Sequence, residues 1–166
     1  ARRARTEATP SSRAPGPPRR ARPPRLACSL VVALRIEVRA RAAAVPPDAA
    51  ELCRVYLLDR DPGPAVVDAL CRTVLADTVV ETAEVLHGAV TDPERVEVGF
   101  LPGVTDTEAR QLEAVIRSLG GGEVAAATVR AYRLPGATPD ELERLARTRW
   151  ANPTIERWAV GALPAP

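Results

Sequence analysis

The chain has 166 residues, and its 23 basic residues, all arginine, nearly balance 21 acids, a net charge of +2. The balance is uneven: residues 1–25 hold eight arginines and one acid (Glu7), and the other 141 residues hold 15 arginines and 20 acids. At 46% apolar residues this is a globular chain long enough for a real core, and an acidic body with only 3% aromatics is unsuited to binding nucleic acid by basic patch or base stacking.

Residues 1–25 are predicted to be a disordered leader. Pro10, Pro15, Pro17, Pro18, Pro23 and Pro24 remove backbone donors, and few apolar residues are present to offset the ordering entropy. The apolar run Leu26–Leu34 is too short to span a membrane and lacks a small-residue cleavage pattern close behind it. Arg35-Ile36-Glu37-Val38-Arg39 alternates instead, which predicts a first strand over Leu30–Arg41. Cys28, Cys53 and Cys71 form no CxxC pair and are odd in number. They read as reduced thiols of a cytoplasmic protein rather than as disulfides or zinc ligands. Ala42–Cys53 leaves room for a turn or two of helix after Pro47, and residues 87–93 read as a linker.

The second half is patterned more clearly. Arg95–Leu101 alternates as a strand, and Pro102-Gly103 turns the chain. Thr105 and Glu108 have capping-box spacing, and the helix they open aligns Ala109, Leu112, Ile116 and Leu119 on one face. Gly120-Gly121-Gly122 ends it. Glu123–Leu134 reads as one or two strands. Thr138 and Glu141, with Pro139 at the first helical position, form a second capping box, and Leu142, Leu145 and Ala146 give that helix its apolar face. Asn152-Pro153 stops it, and Thr154–Val160 reads as a last strand.

The body repeats itself. Ala69–Glu81 lines up with Arg144–Glu156 at a spacing of 75, with Leu, Arg, Thr, Ala and Glu recurring in place. Tyr56 matches Tyr132 with a one-residue slip, and Arg35–Val38 matches Arg95–Val98. The expected fold is therefore α+β: two tandem units, 26–86 and 94–161, forming a pseudo-dimer of antiparallel sheet covered by helices. The first unit is partly degenerate because its strand-to-strand connection is short. Residues 162–166 read as the start of a further linker.

No catalytic, cofactor-binding or metal-binding residues emerge. His87 is the sole histidine and lies in the predicted linker, so neither a metal pair nor a Ser-His-Asp set can be assembled. The absence of lysine removes a P-loop lysine and a Schiff base. No carboxylate has a partner at a diagnostic spacing. Glu81 and Glu156, repeated near the start of each unit's last strand, point to a shared structural role. Tyr56, Tyr132, Trp150 and Trp158 are candidate interface residues, large rings with a polar handle that suit a core or a partner surface.

Val98–Ala109 (VGFLPGVTDTEA) resembles the strand, proline-glycine turn and helix start of the PurS family, the small subunit of phosphoribosylformylglycinamidine synthase. Leu75–Glu81 and Trp150–Glu156 are similar to that family's helix-ending signature, and Tyr132-Arg133-Leu134 to the strand before its second helix. The resemblance spans roughly 30–161 and is stronger over 94–160. It implies a PurS-like pair of the kind that opens the single-chain PurL synthetase, hence a non-catalytic scaffold in de novo purine biosynthesis. Such a scaffold bridges synthetase (PurL) and glutaminase (PurQ) parts and supports ammonia transfer between them, without nucleic acid or membrane. The full enzyme's ATP, Mg and glutamine would be bound outside this chain. An alternative of another class is a tandem ferredoxin-like, ACT-type regulatory module. It would take a small molecule between the units at glycine-rich strand-to-helix turns; Pro102-Gly103 is one such turn, and the first unit has no equivalent.

Overall fold

A computed structural model describes residues 32–41, 51–87 and 90–163. The predicted leader, the predicted helical turn after Pro47 and Cys28 lie outside the described residues. The elements in chain order are β1 (Leu34–Ala40), β2 (Glu51–Leu58), α1 (Pro64–Ala69), β3 (Glu81–Leu86), β4 (Arg95–Phe100), α2 (Thr107–Ser118), β5 (Ala126–Arg133), α3 (Pro139–Leu145) and β6 (Glu156–Val160). Helices α1 and α3 each run on into a π-helical turn, Leu70–Val74 and Ala146–Trp150. No helix among the described residues is long and apolar enough to cross a membrane.

The strands form a single antiparallel sheet in the order β3-β1-β2-β5-β4-β6. This order reads the same from either edge once β1, β2 and β3 are exchanged for β4, β5 and β6. The register agrees residue by residue. Val38 pairs with Arg54 and Ala40 with Glu81 in the first half; Val98 pairs with Arg130 and Phe100 with Glu156 in the second. The halves meet along β2 and β5, where Arg54 lies opposite Arg130.

One face of the sheet carries all three helices. The first core unites Ile36, Tyr56 and Leu58 of the sheet with Val66 and Leu70 of the α1 segment and Leu112 and Ile116 of α2. The second unites Val96, Val98 and Tyr132 with Leu142, Leu145 and Trp150 of the α3 segment. Helix α2 follows β4 in sequence, yet it packs over the first half. This crossing ties the halves together more firmly than the β2–β5 ladder alone, because it buries apolar surface from both.

Two local expectations are corrected. The N-cap of α2 is Asp106, not Thr105: its carboxylate accepts from the Ala109 amide at 2.9 Å and also from the Thr128 amide and hydroxyl, both at 2.8 Å. A carboxylate that caps a helix and pins a strand outcompetes a hydroxyl that can only cap. Leu119 is exposed, since α2 ends at Ser118 and Gly120 turns the chain away at φ 84°. Of the one or two strands expected over Glu123–Leu134, one is present, Ala126–Arg133. The capping box at Thr138 and Glu141 is present as predicted, with Pro139 in the first turn.

Candidate functional site

The repeated helix-ending sequence has the same hydrogen-bond pattern in both halves. Asp77 and Asn152 each close a turn by accepting, through Oδ1, the amide two residues on, at 3.0 and 3.1 Å. Glu81 and Glu156 reach back to accept the Asp77 and Asn152 amides at 3.0 and 2.8 Å. Each glutamate also takes a guanidinium from the central strands, Arg54 at 2.8 Å and Arg130 at 2.7 Å. The same arginines donate to carbonyls at the ends of the π turns, Arg54 to Leu75 just past the first at 3.1 Å and Arg130 to Trp150 at the end of the second at 3.2 Å. The two glutamates are therefore clamps between helix end and sheet. They also neutralise two arginines that would otherwise face each other across β2 and β5.

Tyr56 lies between the halves. It is buried, and its hydroxyl donates to Glu108 Oε1 of α2 at 2.6 Å and accepts from Arg54 Nη1 at 3.3 Å. Burial, followed by the neighbouring Glu108 carboxylate, raises its pKa, so it stays a phenol. Tyr132 and Trp150 are also buried and stack in parallel with ring centroids 4.7 Å apart. Trp158, on β6, is half-buried against the same core. The structure thus places Tyr132 and Trp150 together, Trp158 beside them, and Tyr56 in the other core.

The opposite face of the sheet holds a cluster that sequence reading missed. Arg35 and Glu37 of β1, with Arg95 and Glu97 of β4, are all buried, the two glutamates completely. Glu37 Oε1 accepts from Arg35 Nε at 2.8 Å and Arg95 Nη2 at 2.7 Å. Arg35 Nη2 donates to Glu97 Oε1, and Arg95 Nε lies 2.9 Å from the same oxygen. Arg39 adds a bond to Glu37 Oε2 at 2.8 Å, and the Leu163 amide donates to Glu97 at 2.8 Å. Strands β1 and β4 are separated by β2 and β5, about 14 Å at the usual strand spacing. The long side chains meet over a floor of Cys53, Val55, Val129 and Ala131, which are short enough to leave them room. Two copies of the same Arg-x-Glu segment thus join the halves by buried charge. The signal was present in the sequence as the repeated RIEV and RVEV, whose alternation reads as a solvated face.

These groups are not poised for acid–base work. Burial alone would raise the pKa of Glu37, but hydrogen bonds from Arg95, Arg39 and Arg35 outweigh it and hold the carboxyl at about 2. Burial pushes the Cys53 thiol up to about 11, so it is a neutral group and a poor nucleophile. Its sulfur lies 3.8 Å from both Glu37 and Arg95. His87 is exposed just beyond β3. Among the described residues no three His, Cys, Asp or Glu side chains are grouped to hold a metal ion. What the arrangement does is mechanical: it locks two equivalent halves into one sheet, with buried charge on one face and helices on the other. Set against known protein families, curated proteins and solved structures, the chain matches none of them.

Proposed function

We propose that this chain is a tandem pair of PurS-like units serving as a non-catalytic scaffold of phosphoribosylformylglycinamidine synthase. In that role it bridges the synthetase (PurL) and glutaminase (PurQ) parts in the cytoplasm and supports ammonia transfer between them. The observation that carries the reading is the agreement of the two halves, strand for strand and clamp for clamp, around the β2–β5 join. A duplicated unit whose repeated residues hold helix ends and strands, rather than a reactive group, suits a part that positions other domains. The PurS-like strings fall on the elements that do this holding: the β4-to-α2 turn and the two helix ends. ATP, Mg and glutamine would be handled by the partner parts.

The test is co-expression with a glutaminase subunit and a synthetase lacking its own PurS-like region. The expected result is a ternary complex that survives size exclusion. Failure of the folded chain to associate with either partner would sink the reading. A thermal shift with amino acids or nucleotides in the absence of partners would favour the regulatory-module alternative instead.

A further inference from the structure

The two glutamates of the buried cluster are held alike except for one partner. Glu37 Oε1 takes Arg35 Nε and Arg95 Nη2, and Glu97 Oε1 has Arg95 Nε and Arg35 Nη2 beside it. The partner of the second oxygen differs. Glu37 Oε2 accepts from Arg39 Nη2 at 2.8 Å, two residues along its own strand. Glu97 Oε2 accepts instead from the backbone amide of Leu163 at 2.8 Å, 66 residues away. The residue equivalent to Arg39 is Gly99, which has no side chain to offer.

Gly99 also makes room for the strap that carries this amide. A Cβ at position 99 would meet Leu163 Cδ2 at 2.8 Å and Val129 Cγ2 at 3.3 Å, so a side chain there and the strap exclude each other. The chain reaches this place from β6 through Gly161, whose φ of 87° suits glycine. The Gly161 amide is anchored on the Arg95 carbonyl at 2.7 Å, and Leu163 is buried with Leu57 and Val129. Two backbone bonds and one leucine secure the strap far less than the ladders beneath it, which run over eight residue pairs for β2–β5 and five for β4–β5. We propose that residues 161–163 form a latch on the folded sheet, hinged at Gly161, which opens and closes without unfolding of the strands. Closed, it gives Glu97 the bond that Arg39 gives Glu37; open, it leaves Glu97 with Arg35 and Arg95. Because Arg35 belongs to the other half, the latch couples the sheet edge at β6 to the join between the halves. Whatever holds the strap down tightens that join, and whatever draws it away loosens it. The inference rests on the unequal closure of the two glutamates and not on which assembly the chain serves.

The experiment is native-state amide hydrogen exchange on the full chain, read residue by residue at low urea concentrations. The Leu163 amide is expected to exchange about 100-fold more slowly than in an unstructured peptide, as a buried amide bonded to a carboxylate should. It should still exchange faster than the amides of β4 and β5, at a rate that urea below the unfolding transition leaves unchanged, since lifting three residues exposes little surface. Exchange of Leu163 at the peptide rate would overturn the proposal, because the strap would not close. Exchange at the rate and urea dependence of β4 would overturn it too, because the strap would open only with the whole fold. Leu163→Ala keeps the amide and removes its apolar seat. It should cost that amide about tenfold of its protection with β4 unchanged; undiminished protection would count against the latch. Gly99→Leu and Gly99→Arg should both expel the strap, but only the arginine can reach Glu97 as Arg39 reaches Glu37. Gly99→Arg should therefore lower the urea midpoint by less than half as much as Gly99→Leu. Equal losses, or an amide at 163 that stays protected in both, would contradict the proposal.

Discussion

Replacing Glu37 with glutamine removes one of two negative charges from a buried cluster that keeps the positive charges of Arg35 and Arg95. The cost can be reached in two ways. Removing one partner of a buried pair typically costs about 3–5 kcal/mol, because the other charge is left uncompensated. Independently, a carboxyl moved from 4.5 to about 2 on folding stabilises the folded state at neutral pH by about 3 kcal/mol. The sign follows from the direction. Because the folded pKa is depressed, the stabilisation is complete above about pH 4.5 and is lost as pH falls through about 2. Urea unfolding at pH 7 is therefore expected to show Glu37→Gln destabilised by about 3 kcal/mol, with a midpoint temperature lower by roughly 10 °C. Between pH 5 and pH 2 the native chain should lose that share of its stability and the variant should not. A loss below about 1 kcal/mol at pH 7, or parallel profiles through the acid range, would refute the claim that this carboxylate is held by buried arginines.

The whole cluster behaves differently from its parts: replacing Arg35 and Arg95 by Met and Glu37 and Glu97 by Leu together should cost far less than Glu37→Gln alone, since no charge is left stranded; calorimetry on the quadruple variant checks this. At α2, Asp106→Ala should cost about 2 kcal/mol, because it frees the Ala109 amide and both Thr128 donors, whereas Thr105→Ala should cost under about 0.5 kcal/mol by the same denaturation assay. Glu81→Gln and Glu156→Gln should each destabilise by about 1–2 kcal/mol and add when combined, as expected of equivalent clamps in separate halves; a large difference between them would argue against the equivalence. Gly121→Ala should cost about 1–3 kcal/mol, since the new methyl would meet Ile116 Cγ2 at 2.7 Å and Pro62 Cβ at 2.9 Å.

Much of the fold was legible because local chemistry and tertiary packing agree. Arg95–Leu101 alternates, and β4 runs over Arg95–Phe100. Thr138, Pro139 and Glu141 announce the start of α3 and make the capping box there. The repeat of Ala69–Glu81 in Arg144–Glu156 pointed to a shared task for Glu81 and Glu156, and both have the same partners. What was hidden depends on long-range placement. Nothing in the α2 sequence says that it covers the half to which it does not belong. Glu37 and Glu97 sit in strands whose polar alternation looks solvated; only the strand order, which sets β1 and β4 on either side of β2 and β5 with small side chains between them, lets the long arginines and glutamates meet and be buried. Asp106 displaced Thr105 as the cap because it has a second customer in Thr128, 22 residues away.

The central claim, that the chain holds a glutaminase and a synthetase in register, is tested most directly by comparing glutamine-driven with ammonia-driven amidine formation. The assay uses a synthetase lacking its PurS-like region, together with glutaminase. Adding the chain is expected to raise the glutamine-driven rate severalfold and leave the ammonia-driven rate little changed, because a scaffold supplies passage and not chemistry. An unchanged ratio of the two rates, with the chain folded and at saturating concentration, would contradict the account.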